Sequence, residues 1–165
     1  MEDNVARMGQ IIFSGHDKNE LRILGLGSCI GLCVFDPVAR LGAVAHVVLP
    51  EAGSSESQDP GRYADTAVPY LLDELERRGA MKHRLRAAIA GGAQLFTFAG
   101  ASESLNVGER NVAAVKRHLA ASGVRLMAED TGGKTGRTVV MDARTGAVRV
   151  KQPGQPEREL VSLLS

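Results

Sequence analysis

Two residues close together in this chain have the chemistry of a nucleophile and its base. Cys29 lies in the glycine-rich run Leu24-Gly25-Leu26-Gly27-Ser28-Cys29-Ile30-Gly31, and His46 lies inside the apolar run Val44-Ala45-His46-Val47-Val48. A cysteine on a bend and a histidine in the following apolar segment can be brought together by a simple hairpin. The pair is then a thiol with a base to take its proton. Thiolate formation needs a cation or a cluster of backbone N–H groups nearby. Gly27-Ser28-Cys29 can supply the second, because glycine permits a bend that aims successive amides at one point. Those amides could also hold the oxyanion of a tetrahedral intermediate, which makes Gly27 and Ser28 oxyanion or orienting candidates. The competing reading is structural: free cysteine is among the most buried residue types, and a histidine on an apolar strand is commonly a satisfied core residue.

Other constellations are weaker. Cys33, four residues after Cys29, is flanked by Leu32 and Val34 and reads as core. A zinc site from Cys29, Cys33 and His46 lacks a fourth ligand and the usual close cysteine pair. Gly91-Gly92-Ala93 and Gly132-Gly133-Lys134-Thr135-Gly136 have neither P-loop nor dinucleotide-binding spacing and read as turns. His16, His83 and His118 lie in polar surroundings and read as surface residues.

Patterning also shows the elements that must position Cys29 and His46. Short apolar runs at Met8–Phe13, Leu21–Leu26, Ile30–Phe35 and Leu41–Leu49 read as strands in meander or hairpin units, with Asp36-Pro37 as a turn between the last two. Residues 51–62 form a twelve-residue polar stretch without periodicity, read as a loop that is either a lid or plain surface. Helices are expected over 63–78, with Ala67, Tyr70, Leu71 and Leu75 on one side, and over 106–121; Pro69 leaves the start of the first open. Further strands are expected over 85–90, 124–128, 138–141 and 148–150. The Pro- and Glu-rich segment 152–165 reads as a loosely ordered tail. The pattern predicts a single domain over 1–165, of α/β or α+β class, with a layered sheet and two main helices.

At 165 residues the chain can bury roughly two-thirds of its unfolded surface without disulfide or metal. Twenty Lys and Arg balance 19 Asp and Glu, so no strong field favours nucleic acid or an anionic membrane. Met1-Glu2-Asp3-Asn4 lacks the order of a secretion signal, no apolar run is long enough to span a bilayer, and the two cysteines read as reduced thiols. A cytoplasmic location is expected.

Several blocks together resemble one family. Leu24-Gly25-Leu26-Gly27-Ser28-Cys29, Phe35-Asp36-Pro37 and Ala45-His46-Val47-Val48-Leu49-Pro50 are followed by Arg62-Tyr63-Ala64-Asp65-Thr66-Ala67 and Ala90-Gly91-Gly92-Ala93. Val107-Gly108-Glu109-Arg110-Asn111 and Ala128-Glu129-Asp130-Thr131-Gly132-Gly133 complete the series. In this order they resemble the CheD family, chemoreceptor glutamine deamidases of bacterial and archaeal chemotaxis, over nearly the whole chain to about Lys151. The resemblance implies a layered domain and a protein-glutamine amidohydrolase (a protein-glutamine glutaminase) acting on chemoreceptors, with no cofactor or metal, and with the CheC phosphatase as a further partner. It puts Cys29 on the family nucleophile and His46 on its base. The third member, a threonine six residues before the cysteine, falls on Ile23, which cannot accept a hydrogen bond from imidazole. That departure motivates an alternative: a regulatory module with little or no catalysis that binds CheC or the receptors.

Overall fold

The computed structural model describes residues 4–15, 17–53, 59–94 and 106–164. The centre of the expected polar loop (54–58) and His16 lie outside the described residues. Nine strands and two α-helices are found among those described. They are β1 (Ile11–Phe13), β2 (Glu20–Leu26), β3 (Ile30–Asp36), β4 (Leu41–Val47), α1 (Ala64–Arg77), β5 (Arg86–Gly91), α2 (Val107–Ala121), β6 (Arg125–Thr131), β7 (Arg137–Asp142), β8 (Ala147–Lys151) and β9 (Arg158–Ser162).

The strands form two sheets, one in the order β1-β4-β3-β5-β6 and one in the order β2-β7-β8-β9. Among these strands β5 and β6 pair in parallel and the other neighbouring pairs are antiparallel. The expected layered sheet with two main helices is found, and of the two classes named it is α+β.

Side-chain alternation on β3 explains the layering. Ile30, Leu32 and Val34 face one way and pack with Ala67, Leu71 and Leu75 of α1 and Ala114, Val115 and Leu119 of α2. Cys33 and Phe35 face the other way and pack with Leu21, Ile23 and Leu26 of β2 and with Val139, Met141 and Val148 of the second sheet. β3 is buried along its whole length, as a strand covered on both faces must be. The result is a helix layer, a central five-stranded sheet and an outer four-stranded sheet.

Three expectations change. β2 does not continue a meander with β3; it pairs with β7 in the other sheet. The switch is made at a register shift between Ile23 and Leu26, where Leu24 and Gly25 are exposed and Gly25 has φ +65°. A bulge of this kind bends the strand and redirects the chain beyond it, here into the Gly27-Ser28-Cys29 bend. Tyr70 is exposed rather than on the buried side of α1, which is instead formed by Ala64, Ala67, Val68, Leu71, Leu72 and Leu75. Segment 152–165 is not a loose tail throughout, because Arg158–Ser162 pairs with β8, and Val161 and Leu160 pack against the inter-sheet core.

The β3–β4 hairpin forms as expected and is tied at its closed end. Asp36 accepts hydrogen bonds from the amides of Val38 (2.9 Å) and Ala39 (3.0 Å), closing the Pro37 turn. The same carboxylate accepts from the Met81 amide and from Arg84 Nε and Nη2. Burial pushes the Asp36 carboxyl up, but the Arg84 guanidinium and the three amides hold it below the usual carboxylate range.

Candidate active site

The open end of this hairpin carries the two reactive side chains. In the β3–β4 register Gly31 lies opposite His46 and Ile30 opposite Val47. Cys29 lies in the bend just before β3, two residues before Gly31, and packs on the inter-sheet side, so it is at the hairpin end that carries His46. Gly31 offers no side chain to fill the space between them. A Cβ there would lie 2.8 Å from Leu26 Cδ1 and 3.0 Å from Ile23 Cδ1. Ile23 therefore projects at the cross-strand partner of His46, as packing and not as a hydrogen-bond acceptor.

The Cys29 bend is held by its carbonyl groups. The Gly27 carbonyl accepts from Ala93 N–H and the Cys29 carbonyl from Gly92 N–H, each at 2.9 Å. The Ser28 carbonyl accepts from Asn111 Nδ2 at 2.9 Å, and the same Nδ2 donates to the Val48 carbonyl at 2.9 Å. Asn111, fully buried on α2, thus ties the cysteine bend to the strand that carries His46. In a trans peptide the N–H points opposite to the C=O of the same plane. With the Gly27 and Ser28 carbonyls turned toward Ala93 and Asn111, the amides of Ser28 and Cys29 point the other way. Neither donates a backbone hydrogen bond to another described residue.

Gly91 and Gly92 are glycines for a reason. Both have positive φ, +113° and +68°, and a Cβ on Gly91 would overlap the Cys29 carbonyl oxygen. The corner is braced from behind by Arg137, almost wholly buried, whose Nη1 donates to the Gly91 carbonyl at 3.3 Å. Asp130 balances that buried charge, 3.5 Å from Arg137 Nη2, and also accepts from Arg158 of β9 at 2.7 Å.

His46 is 3 % exposed. Its Nδ1 lies 3.1 Å from the carbonyl oxygen of Ala6, and its Nε2 is buried without a partner among the described residues. A carbonyl only accepts, so Nδ1 carries the proton and Nε2 keeps its lone pair, the form a base requires. Burial pushes the imidazole below the ordinary histidine range, and the bond to Ala6 offsets only part of that. Cys29 is 8 % exposed, and burial raises its thiol above the ordinary value despite the opposing charge of Arg62. Both shifts favour the neutral forms, thiol for Cys29 and imidazole for His46.

This makes a kinetic prediction. Alkylation of Cys29 by iodoacetamide should be slower at neutral pH than that of a free thiol, with a midpoint displaced to higher pH. Arg62→Ala removes the cation that lowers the thiol among the described residues, so the midpoint should rise further. Its neutral-pH rate should fall on the order of threefold to tenfold, the scale of a partly screened charge. A midpoint that moves down in the variant contradicts this electrostatic assignment.

The sequence-predicted residues Cys29, Ser28, Gly27 and His46 are brought to one end of one hairpin. Cys33 points into the same inter-sheet core but is fully buried, where burial pushes its thiol up to about 12. The roles of Arg62, Asn111 and the Ala6 carbonyl are not evident from the sequence. Of these only Asn111 carries a local signal: a polar residue on the α2 face that also holds Val115 and Leu119.

Residues 48–152 match the family described as CheD chemotactic sensory transduction. A Thermotoga maritima protein named chemoreceptor glutamine deamidase CheD is 50% identical over 135 residues, covering 82% of this chain and 83% of its own. Probable chemoreceptor glutamine deamidases CheD from Desulfitobacterium hafniense and Symbiobacterium thermophilum are 46% and 43% identical, covering 85% and 93% of this chain and 88% and 94% of theirs. The structure of the Bacillus licheniformis hypothetical protein YfiH overlaps 74% of this chain and 50% of its own, at 14% identity and a TM-score of 0.48. None of the described helices is long and apolar enough to cross a membrane. With half of the residues aligned to one relative identical, and residues 48–152 matched by the family, the chain belongs to the CheD family.

Proposed function

We propose that this chain is a protein-glutamine deamidase that converts glutamine side chains of chemoreceptors to glutamate, with Cys29 as nucleophile and His46 as general base and acid. The observation that carries the reading is the hairpin register. It sets His46 opposite Gly31, two residues after Cys29, with Nδ1 against the Ala6 carbonyl and Nε2 without a partner among the described residues. Relatives named as chemoreceptor glutamine deamidases support the substrate.

In this mechanism His46 Nε2 takes the thiol proton as Cys29 Sγ attacks the side-chain amide carbon of the substrate glutamine. The amide π electrons move to oxygen, and the Ser28 and Cys29 N–H groups, free on the side away from their anchored carbonyls, receive the oxyanion. The C–N bond breaks as the Nε2 proton passes to nitrogen, releasing ammonia and leaving a thioester. Nε2 then takes a proton from water, the hydroxide adds to the thioester carbon, and the thiolate leaves and is reprotonated. One glutamine and one water give one glutamate and one ammonia. The steps draw on no cofactor or metal. The site is set in a cytoplasmic protein that meets the receptors' cytoplasmic domains, and the CheC phosphatase is a further partner in this reading.

The specific observation favouring the second reading, a binding module, is Ile23: fully buried, it gives His46 no polar group. Mixing the protein with the cytoplasmic domain of a cognate chemoreceptor and measuring ammonia separates the two. Ammonia release that scales with enzyme and with time supports the deamidase. Tight binding with no ammonia supports the module and overturns the deamidase.

A further inference from the structure

His46 has no side-chain hydrogen-bond partner to orient it among the described residues; its one ring hydrogen bond there is to the Ala6 backbone. The segment carrying that carbonyl is fixed at both ends. Asn4 Nδ2 donates to the Glu20 carbonyl at 3.0 Å, Val5 bridges to Arg22, and Ala6 N–H donates to the Arg22 carbonyl at 2.8 Å. On the other side Gly9 N–H donates to the His46 carbonyl (2.9 Å), and His46 N–H donates to the Gln10 carbonyl (3.0 Å). Ala6 itself is 1 % exposed. One stretch of chain is therefore stitched to β2 beside Ile23 and to the backbone of His46, and between those stitches presents a carbonyl to the imidazole.

We propose that this N-terminal segment is the third member of the catalytic group, with the Ala6 backbone carbonyl as the positioning group that fixes the His46 tautomer. The inference rests on the deamidase reading for its purpose but not for its test. Free neutral histidine prefers the proton on Nε2, which would leave no lone pair toward the thiol. A carbonyl at Nδ1 reverses that preference and fixes the ring plane. With a backbone acceptor at Nδ1, the His46 tautomer needs no polar side chain at position 23, where Ile23 packs in the inter-sheet core against Gly31. In the serine-protease template the wrong tautomer costs roughly four orders of magnitude in turnover, which sets the scale of what such a contact protects.

The test reads the tautomer directly. In the full chain with ¹⁵N-labelled histidine, at a pH where the ring is neutral, the His46 Nδ1 resonance should be of the protonated, pyrrole type and Nε2 of the pyridine type. A second protein, made by ligation, replaces the Ala6–Arg7 amide by an ester, which weakens the Ala6 carbonyl as an acceptor and removes the exposed Arg7 N–H bond to Gln10 Oε1, without changing any side chain. There the population should move toward Nε2–H, and kcat should fall roughly tenfold, the worth of one weakened hydrogen bond, with KM held. A pyridine-type Nδ1 in the unmodified chain overturns the proposal, whether or not the ester protein folds. An identical tautomer in both proteins also overturns it. The tautomer response without any deamidation would overturn the functional reading and leave this assignment standing.

Discussion

Cys29→Ala is expected to reduce glutamine deamidation to the uncatalysed background while leaving the protein folded and able to bind its substrate. The side chain lost is the only atom proposed to bond to the substrate, and neither Ser28 nor the buried Cys33 can replace it. Cys33 is in the inter-sheet core with its thiol pushed up to about 12, so it is neither accessible nor ionised. The fold should survive because the bend is held by its carbonyls, at Ala93, Asn111 and Gly92, and not by the thiol. Removing one sulfur from a nearly buried site costs about 1 kcal/mol, a shift of a few degrees in Tm for a domain of this size. Thermal melting and receptor binding alongside the rate separate loss of chemistry from loss of structure. Residual turnover well above background would mean that another group attacks the amide.

His46→Asn is expected to lower kcat by roughly 10² to 10⁴, the usual range for a general acid–base group, with thermal stability nearly unchanged. Asparagine places an amide nitrogen close to the position of Nδ1 and can still donate to the Ala6 carbonyl, so the hairpin end stays packed. What it lacks is the Nε2 lone pair. The deficit has a pH signature. Burial holds the Cys29 thiol above its ordinary value, so the thiolate forms by itself only as pH rises into that higher range. The gap between wild type and variant in thioester formation should therefore narrow with rising pH. A gap that stays constant would show that His46 does not act on the Cys29 proton.

The local parts of this architecture are legible in the sequence because they rest on local chemistry. Gly27-Ser28-Cys29 announces a bend, Asp36-Pro37 a turn, and the two apolar runs joined by that turn a hairpin; these suffice to bring Cys29 toward His46. Partner choice between strands is not local. Nothing within Glu20–Leu26 states that it pairs with β7 and not with β3, since alternation fixes which face is buried but not against which sheet. Likewise Arg158–Ser162 becomes a strand because β8 offers it an edge, although Pro153, Pro156 and the charges around them read as a tail. The orienting group of His46 is the least legible of all. Every residue carries a backbone carbonyl, so Ala6 has no signature of its own, and only the fold brings it to the ring. Ile23, by contrast, is conspicuous as a departure from the family pattern, and the structure gives it a packing role over Gly31.

In the proposed mechanism Cys29 hydrolyses glutamine side chains without help from position 23. Site-resolved mass spectrometry of a cognate chemoreceptor cytoplasmic domain, after incubation with wild type, Cys29→Ala and Ile23→Thr proteins, tests it most directly. The expected result is glutamine-to-glutamate conversion at particular sites by wild type, none by Cys29→Ala, and a rate for Ile23→Thr within about tenfold of wild type, since the Ala6 carbonyl already supplies the worth of one hydrogen bond. No conversion by wild type, with activity appearing only in Ile23→Thr, would contradict the account and leave a binding protein whose catalytic group is incomplete.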